Sequence, residues 1–395
     1  MSDRLAQLHL LLQNAAQAQG GFLPFDEFMH LALYAPNLGY YASTEPVGTA
    51  TQGGDFTTAP QLSKLFGSTL AQSLVPVFEA GLPLHILECG AGTGKLAADL
   101  IDRLSVLGYT NVRYSILEVS ARLRAQQKQT LQGFGGVAWL NALPTNFEGV
   151  VLGNELLDAM PTKAYELQQT PQGPTVQERG VVWQTQANHG QDNASKGNWF
   201  WAARPLPEPD QARYLAVLPT ESAAQDAYQF EVCDQAQAWV TSVAEQMKRG
   251  LILLVDYGFP RHELYHPQRA GGTLMGHHRH TASSNVLDHI GAADITAHVD
   301  FTAIARAAQQ AGLNLTGYTS QARFLINAGI AAAYEAAVQN APSALEQAQL
   351  SRGLQYLMSE AEMGELFKVI AFGKACSAPL GFERGDRSLR LHYDF

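Results

Sequence analysis

Cysteines, long apolar runs and basic residues are all scarce in this sequence. Its three cysteines, Cys89, Cys233 and Cys376, lie far apart and outside any metal-ligand spacing. This argues against a cysteine metal site and is typical of reduced thiols inside a cell. No run of 18 apolar residues occurs, so neither a transmembrane helix nor membrane insertion is expected. Residues 1–19 predict an amphipathic helix with a single arginine, unlike a secretory signal or an arginine-rich transit peptide.

Basic residues are outnumbered by acidic ones, 26 Lys and Arg against 36 Asp and Glu, for a net charge of -10. The basic footprint of a nucleic-acid-binding protein is missing, so no nucleic-acid partner is expected. The acidic balance fits a cationic partner, such as an arginine-bearing segment of another protein. It also serves the solubility of an ordinary intracellular protein, which is the commoner reason for it. We expect a cytoplasmic location, or the mitochondrial matrix if the source is eukaryotic.

The chain of 395 residues is long enough for a large core and for two or three domains. Short apolar stretches alternate with helical patterns, and the stretches are residues 84–88, 112–117, 137–140, 150–153 and 251–255. This alternation predicts a Rossmann-like α/β fold, a mostly parallel sheet with helices on both faces. A helix at residues 301–311 and a strand at residues 366–372 are expected to complete the sheet.

A glycine-rich loop follows the first of these strands. Residues 84–95 have the sequence LHILECGAGTGK, and an apolar helical pattern comes next. Gly90, Gly92 and Gly94 carry no Cβ, so the backbone can turn tightly there. Its N–H groups and a helix N-terminus can then approach a ligand closely.

The spacing of this loop separates three classes of cofactor. A dinucleotide loop, G-x-G-x-x-G, is disfavoured because Lys95 stands at its third glycine, and a Walker A loop because Cys89 stands at its first. What remains is E-x-G-x-G-x-G, with Glu88 at the strand end. A carboxylate there would repel a pyrophosphate but suits a cationic ligand. S-adenosyl-L-methionine, with its sulfonium and ammonium groups, is such a ligand.

A second acid, Glu118, ends the next strand, about where doubly wound folds hold the ribose hydroxyls of a nucleotide. Ser120 follows as a candidate helix N-cap and a further cofactor contact. Together the glycines and Glu118 look like motifs of a class I methyltransferase. The alternative is a glycine-rich turn at an ordinary junction of strand and helix.

Two stretches lie outside this core. Residues 1–80 are predicted to form an N-terminal helical cap, with the loop at residues 53–60 as a lid over the cofactor pocket. Residues 162–230 turn polar and rich in short strand-like pieces, which predicts a β-rich insertion for substrate or partner recognition. The core is then divided into residues 81–161 and 231–395.

Several motifs resemble those of the MidA-like methyltransferases, and the resemblance covers nearly the whole chain. One departure is that the family usually places an aromatic pair where Leu156 and Leu157 stand here. The matching motifs are residues 28–41 (FMHLALYAPNLGYY), 54–60 (GDFTTAP), 88–94 (ECGAGTG), Glu118, 154–161 (NELLDAMP), 256–258 (DYG), 272–274 (GTL), 294–301 (DITAHVDF) and 363–368 (MGELFK).

The resemblance implies a class I methyltransferase fold with a seven-stranded sheet, an N-terminal cap and a central insertion, and S-adenosyl-L-methionine as cofactor. The family includes a mitochondrial methyltransferase that assists the assembly of respiratory complex I by dimethylating an arginine. The resemblance therefore also implies a protein substrate with an exposed arginine, with a complex I core subunit among the candidates. A homodimer is a further expectation.

Arginine methylation requires the protein to align the attacking nitrogen with the methyl group. The guanidinium is planar and always charged, so carboxylates, or a carboxylate and an amide carbonyl, must grip it. Asn154, Glu155 and Asp158 follow the fourth strand, and we expect Glu155 as the clamp, Asn154 as the orienting amide and Asp158 in support. The structural alternative is that Asn154 caps a helix whose first turn contains Asp158.

Other polar residues near these motifs have two interpretations each. Asp55 and Thr57 are predicted cofactor contacts from the lid, with an Asx-type turn as the alternative. Asp256 ends the fifth strand and either points to the pocket mouth or forms a turn. Trp199 and Trp201 share one face of a predicted strand, which favours a core or partner contact over a cofactor contact.

Histidines do not form a recognisable metal site in the sequence. His277, His278 and His280 lack an acid or a cysteine at ligand spacing, so no metal is expected. His298 and Asp300 form either a hydrogen-bonded pair that lines the site or a buried structural pair, and we favour the structural pair.

Two rival functions are distinguishable in the sequence. The first is an assembly factor that uses the same pocket without turnover, which the intact Gly90, Gly92, Gly94 and Glu118 disfavour. The second is an NAD-dependent dehydrogenase, which Lys95 disfavours. The prediction is an enzyme, a methyltransferase that acts on arginine of a partner protein.

Overall fold

The structure is a computed structural model that describes residues 3–43, 58–185 and 197–391. Its strands, in chain order, are β1 (Phe22–Pro24), β2 (His85–Cys89), β3 (Arg113–Leu117), β4 (Val137–Leu140), β5 (Phe147–Asn154), β6 (Lys163–Thr170), β7 (Gly173–Thr185), β8 (Gly197–Pro205), β9 (Gln229–Val232), β10 (Met247–Phe259), β11 (Met275–His278), β12 (Thr281–Ser283), β13 (Asp294–Thr296), β14 (Val299–Asp300), β15 (Asn314–Ser320) and β16 (Phe367–Lys374).

Helices flank these strands on both sides. In chain order they are α1 (Asp3–Ala18), α2 (Phe25–Tyr34), α3 (Ala59–Leu62), α4 (Lys64–Glu79), α5 (Lys95–Val106), α6 (Ala121–Thr130), α7 (Asp210–Leu215), α8 (Thr220–Ala223), α9 (Asp234–Gln246), α10 (Arg261–Leu264), α11 (Phe301–Gln310), α12 (Gln321–Asn327), α13 (Ile330–Gln339), α14 (Ala344–Met358) and α15 (Met363–Leu366).

The largest sheet has the strand order β15-β16-β10-β5-β2-β3-β4. Strands β4, β3, β2, β5 and β10 are parallel, whereas β16 runs antiparallel to both β10 and β15. The predicted α/β architecture with a mostly parallel sheet is confirmed. The sheet has eight strands among the described residues rather than seven, because the two residues of β14 pair with Gly258 and Phe259 of β10.

Strand β15 is absent from the sequence prediction. Its residues, NLTGYTS, are mostly polar and show no apolar alternation, so the sequence favours a loop there. Pairing with β16 makes it a strand, and the side chain of Tyr318 is fully buried. The tertiary contact overrides the weak local preference.

Apolar side chains of the central strands alternate between the two faces of the sheet. Helices cover both faces and so remove these side chains from water. Each fully buried aliphatic side chain stabilises the fold by about 1.5–3 kcal/mol. Ile86, Val150, Leu152, Leu251 and Leu253 pack with α4 and α5, whereas Leu87, Val151, Ile252 and Leu254 pack with α9 and α11.

A second, antiparallel sheet contains the predicted β-rich insertion and one strand from the N-terminal segment. Its order is β1-β7-β6-β9, with β8 beside β7. Helices α1 and α2 pack on it, and the Trp201 ring stacks on Phe25 with ring centroids 4.9 Å apart. Trp199 is buried in the same cluster, as predicted for a core contact. Helix α4 instead packs with the central sheet, and the predicted domain boundaries stay a prediction.

The strand order reverses beside β2. From β2 the chain moves outward through β3 to β4, and then returns to place β5 on the other side of β2. In open α/β sheets, ligands bind in the crevice outside the carboxyl ends of the strands at such a point. No helix of the described residues has the length and apolar character needed to cross a bilayer.

Candidate functional site

A cavity of about 830 Å³ opens at the carboxyl ends of the central strands. Its wall combines the loop after β2, the end of β3, the turn after β5 and the end of β10 with residues of α2, β11 and β13. Binding pockets for drug-sized ligands range from about 300 to 1,000 Å³, so this cavity has room for a nucleoside cofactor and a substrate side chain.

The glycine loop has the conformation that its sequence predicts. Gly90, Gly92 and Gly94 all have positive φ angles, of 71, 50 and 81 degrees, which side chains with a Cβ rarely adopt. The Gly90 N–H donates to the Leu117 carbonyl oxygen at 3.1 Å, which joins the loop to β3. Gly90 and Gly92 line the cavity. Gly94 is not among the lining residues: it begins α5, where a Cβ would lie 3.3 Å from the Gln127 Cα.

Glu88 lies at the bottom of this loop and is buried. The Tyr114 hydroxyl donates to Glu88 Oε2 at 2.9 Å. Burial raises the pKa of Glu88 to about 7, and the nearby Glu118 charge adds to the increase. A bound cation would favour the charged carboxylate, so the position suits a cationic ligand.

Glu118 is held at both carboxyl oxygens. The Ser120 N–H donates to Oε1 at 2.9 Å, and the Gln127 amide donates to Oε2 at 2.9 Å. The same amide donates to the Gly92 carbonyl oxygen at 3.0 Å, so Gln127 fixes Glu118 relative to the glycine loop. Burial raises the pKa of Glu118. Each oxygen keeps a further lone pair, which fits hydroxyl donors such as those of a ribose.

Gln127 is a site residue that the sequence analysis does not identify. The sequence shows only that Gln127 lies one helical turn after Leu123, which indicates an inward-facing position and assigns no role. The structure shows that both side chains are buried, and a fully buried glutamine next to a candidate cofactor site is a candidate for holding that site.

Ser120 is the N-cap of α6, as predicted, and its side chain accepts from the Leu123 N–H at 3.2 Å. Its hydroxyl also donates to the Tyr41 carbonyl oxygen at 2.6 Å. Ser120 lines the cavity, and its direct contact with the cofactor stays a prediction. Asp55 and Thr57 lie outside the described residues.

The turn after β5 places Asn154 and Glu155 in the cavity wall. The Asn154 amide donates to Glu155 Oε1 at 3.0 Å, and the Glu155 N–H donates to the Val255 carbonyl oxygen at 2.9 Å. Glu155 has a φ angle of 51 degrees, a strained conformation for a residue with a side chain. Burial and, to a smaller extent, the charge of Asp158 raise the pKa of Glu155 to about 8. No helix begins here, so the helix-cap alternative for Asn154 is wrong, as is the helical turn expected at Asp158.

Asp158 lies in the same wall and is buried. Burial raises the pKa of Asp158 to about 6, although the Tyr257 hydroxyl bonds its carboxyl group. Asp256 does not line the cavity. Its Oδ2 accepts from the Leu156 and Leu157 N–H groups at 3.1 and 2.8 Å, so Asp256 shapes the turn that presents Glu155 and Asp158.

Asp294 on β13 also lines the cavity, near Glu155 and Asp158, and the sequence assigns it no role beyond its place in a matching motif. The Tyr41 hydroxyl donates to Asp294 Oδ2 at 2.9 Å, and the Tyr34 ring stacks on Tyr41 with ring centroids 5.5 Å apart. Tyr34 in turn donates to the Ala159 carbonyl oxygen at 2.9 Å. Burial and the charge of Asp158 raise the pKa of Asp294 well above its ordinary value.

His298 also lines the cavity, edge-on to Tyr257 with ring centroids 5.3 Å apart. Burial lowers the pKa of His298 to about 4, so the ring is neutral at physiological pH. The predicted pair with Asp300 is wrong, because Asp300 bonds Arg261 at 2.9 Å instead. Within the described ranges, no group of three His, Cys, Asp or Glu side chains has the arrangement of a metal site.

The cofactor end of the cavity fits S-adenosyl-L-methionine. Glu88 is a buried carboxyl with a raised pKa at a bare backbone loop, which suits a sulfonium with an ammonium group. Glu118 is oriented by two fixed donors and has lone pairs to spare for ribose hydroxyls. Gly90 and Gly92 line the cavity without side chains, and a Cβ at Gly90 would lie 3.1 Å from the Leu156 side chain.

Comparisons with known proteins agree with this fit. The family described as "Putative S-adenosyl-L-methionine-dependent methyltransferase" matches residues 69–319. The chain is 28% identical to protein arginine methyltransferase NDUFAF7, mitochondrial, of Danio rerio, over 87% of this chain and 81% of that protein. It is 27% identical to the Rattus norvegicus protein of the same name, over 89% of this chain and 84% of that protein.

A solved structure resembles the whole chain. A Burkholderia thailandensis protein bound to S-adenosyl-homocysteine is 43% identical and superimposes with a TM-score of 0.86 over 98% of both chains. The predicted class I methyltransferase fold and cofactor are thereby confirmed, and the dehydrogenase alternative is wrong. The chain belongs to this family of S-adenosyl-L-methionine-dependent methyltransferases, and S-adenosyl-L-methionine is its cofactor.

Proposed function

We propose that this enzyme is a protein arginine N-methyltransferase. The observation that carries the proposal is a set of three acids, Glu155, Asp158 and Asp294, in the wall of the cofactor cavity. None of them forms an ion pair with another side chain in the described part of the chain. Burying a carboxylate that has no cationic partner is costly, so this arrangement supports a substrate with a cationic group.

The hydrogen-bonding atoms of the wall favour a guanidinium over an ammonium. Asn154 Oδ1, Asp158 Oδ1 and Asp294 Oδ1 are buried acceptors without a hydrogen-bond partner among the described residues. A guanidinium has five N–H donors in one plane and is charged at all physiological pH values, whereas an ammonium has three donors around one atom. Several acceptors spread along one cavity wall match the planar group better.

The cavity has a cofactor end, lined by Glu88, Glu118 and the glycine loop, and an acceptor end, lined by Glu155, Asp158 and Asp294, and the two ends have separate tasks in this proposal. When bound, S-adenosyl-L-methionine supplies a methyl group on a positively charged sulfur. Glu88, Glu118 and the glycine loop hold the cofactor. Glu155 and Asp158 grip the guanidinium, concentrate electron density on the attacking nitrogen and accept the proton that it loses. The Tyr34 and Tyr41 rings cover the acceptor end and restrict water.

A protein substrate is supported by the names of the relatives, which are protein arginine methyltransferases. A complex I core subunit, as the family resemblance implies, is the first substrate to test. The alternative is a cofactor-binding assembly factor without turnover. The homodimer and the cytoplasmic location stay predictions, as does the role of the insertion in partner recognition.

The experiment uses the full chain, methyl-labelled cofactor and four peptide libraries with random flanks and a central Arg, Lys, His or Gln. Recombinant complex I core subunits are tested in parallel, and mass spectrometry locates the methyl group. We expect label on arginine in the Arg library or in a core subunit. Label on another residue would overturn the proposal. Cofactor binding without label on any probe would favour the assembly factor.

A further inference from the structure

A second, smaller cavity lies behind the acceptor end. It has a volume of about 90 Å³ and is lined mainly by the segment between β5 and β6 and by residues of α7, β9, α9, α10, β14 and α11. One water molecule needs about 10–15 Å³ of such volume, so the cavity has room for several. We call it the rear cavity.

The rear cavity shares a wall with the cofactor cavity. Asp158, Met160 and His298 line both of them. The lining of the rear cavity also includes Arg213 and Asp234, which form an ion pair at 2.6 Å and have side chains that are 58% and 30% exposed. The rear cavity is therefore lined both by an acid of the acceptor end and by side chains at the protein surface.

Buried polar atoms of this wall lack partners. Asp158 Oδ1, His298 Nδ1 and Glu231 Oε1 are buried and have no hydrogen-bond partner among the described residues. The other oxygen of Glu231 accepts from the Thr273 N–H at 2.8 Å and hydroxyl at 2.9 Å, so the side chain is held in place. Buried polar groups are nearly always satisfied in folded proteins, by ordered water where protein donors are missing.

We propose that the rear cavity holds a chain of ordered water molecules that carries the proton released at the methyl acceptor from Asp158, past His298 and Glu231, to solvent. The proposal rests on methyl transfer to a nitrogen, as proposed above. As the nitrogen gains its bond to the methyl carbon, the bond from that carbon to sulfur breaks, the sulfur keeps the electron pair, and S-adenosyl-homocysteine is the leaving group. The nitrogen loses one N–H proton to the Asp158 carboxylate, which becomes a carboxylic acid. Asp158 then returns to the carboxylate by giving a proton to water, each water passes one on, and the last enters bulk solvent.

The ring of His298 is suited to relay a proton because it is neutral and one of its nitrogens is unpartnered. It is a relay residue rather than one that holds the substrate. The titratable and charged groups that act on the path are, for Asp158, the side chains of Glu155, Asp256, Tyr257 and Asp294; for His298, those of Arg269, Lys368 and His277; and for Glu231, that of Arg179. Thr273 acts on Glu231 through its two hydrogen bonds.

The first test is a high-resolution crystal structure of the full chain with S-adenosyl-homocysteine, which needs no substrate. We expect ordered water within hydrogen-bond distance of Asp158 Oδ1, His298 Nδ1 and Glu231 Oε1. A dry rear cavity, or these atoms bonded to protein groups instead, would overturn the proposal.

The second test is His298→Ala, measured with a peptide that the wild type methylates. We expect kcat to fall about tenfold with KM unchanged. This is less than the roughly 10²–10⁴-fold contribution of a side chain that exchanges a proton with the reacting group directly, because His298 receives the proton only after Asp158. Added imidazole should restore kcat in proportion to its concentration, and the solvent deuterium isotope effect should increase. A purely structural role of His298 would produce neither imidazole rescue nor a larger isotope effect.

His262→Ala is the matched control, because His262 on α10 lines neither cavity, and its kcat should not respond to imidazole. If His298→Ala does not fold, the nearly isosteric Glu231→Gln replaces it, with the larger isotope effect as the readout. Normal turnover of a folded variant without these responses would overturn the relay. Absence of arginine methylation by the wild type would instead reject the proposed function and leave the crystallographic test decisive for the water chain.

Discussion

The two ends of the cofactor cavity hold their acids differently. At the cofactor end both oxygens of Glu118 have donors, and the Tyr114 hydroxyl donates to Glu88. At the acceptor end each acid also accepts a side-chain hydrogen bond, but Asp158 Oδ1 and Asp294 Oδ1 are unpartnered among the described residues. The first arrangement has its donors in place before a ligand binds, whereas the second leaves acceptors open for a cationic group.

This difference separates binding from catalysis. A prebuilt site contributes to cofactor affinity, because no reorganisation is needed when the ligand enters. Acids without a cationic partner stabilise a positively charged substrate group instead. They affect turnover most, because they lie next to the reacting centre. Variants at the two ends should therefore affect different measurements.

The largest effect is expected at the acceptor end. Glu155→Ala removes the clamp, and we expect methyl transfer to arginine to fall by about 100-fold or more, as for the loss of a preorganised electrostatic group. S-adenosyl-homocysteine affinity, measured by calorimetry, should stay within about threefold, because Glu155 belongs to the other end of the cavity. Equal losses in binding and turnover would remove the distinction between the ends, and unchanged turnover would remove Glu155 from the mechanism.

The next effect is expected at the cofactor end. Glu118→Ala removes hydrogen bonds to a charged acceptor, which are worth about 1.5–3 kcal/mol, so S-adenosyl-homocysteine should bind about 10- to 100-fold more weakly. Asp102→Ala on α5 is the control, because Asp102 is exposed and lines neither cavity. An affinity loss in the control as large as in Glu118→Ala would show that net charge, rather than the Glu118 contact, determines binding.

The pH dependence of turnover should report the acceptor end. Its acids have raised pKa values, about 6 for Asp158 and about 8 for Glu155, and only their charged forms grip a guanidinium. Methylation at low substrate concentration should therefore rise about tenfold or more between pH 6 and pH 8, with apparent pKa values that belong to the cluster. Glu155→Gln should remove the upper step from the residual profile, and a wild-type profile that is flat over this range would contradict the assignment.

The smallest expected effect is on stability. The folded-state pKa of Glu155 lies above its ordinary value, so the folded protein binds more protons than the unfolded chain between about pH 4.5 and pH 8. The contribution of this group to stability is therefore present at low pH and is lost as the pH rises through 8. Thermal melts of the ligand-free protein should show Glu155→Gln close to wild type at pH 5 and more stable by a few degrees at pH 8.5. A variant that is less stable at pH 8.5 would show that the charged carboxylate stabilises the fold.

Much of the cofactor end could be predicted because its interactions are local. Glu88 and the glycines belong to one strand and its loop, and Glu118 follows the neighbouring parallel strand. Gln127 could not be assigned a role, because a glutamine within a helix is ordinary until the fold shows that its amide reaches both Glu118 and Gly92.

The acceptor end shows the opposite case. The sequence places Asn154, Glu155 and Asp158 in one short motif, but it gives no sign that the turn is held by Asp256 rather than by a helix. Strand β15 was missed for a similar reason, since its polar residues become a strand only by pairing with β16. Such contacts depend on neighbours that are distant in the chain.

The sequence by itself determined the strand, loop and helix at the cofactor end of the cavity, because glycine conformation, strand alternation and an acid two residues from its donor are properties of short segments. Only the tertiary structure decided which acids line the acceptor end. Tyr41 and Asp294 are 253 positions apart in the chain, and they meet in the cavity wall. They do so because the segment after α2 and strand β13 both lie at this cavity.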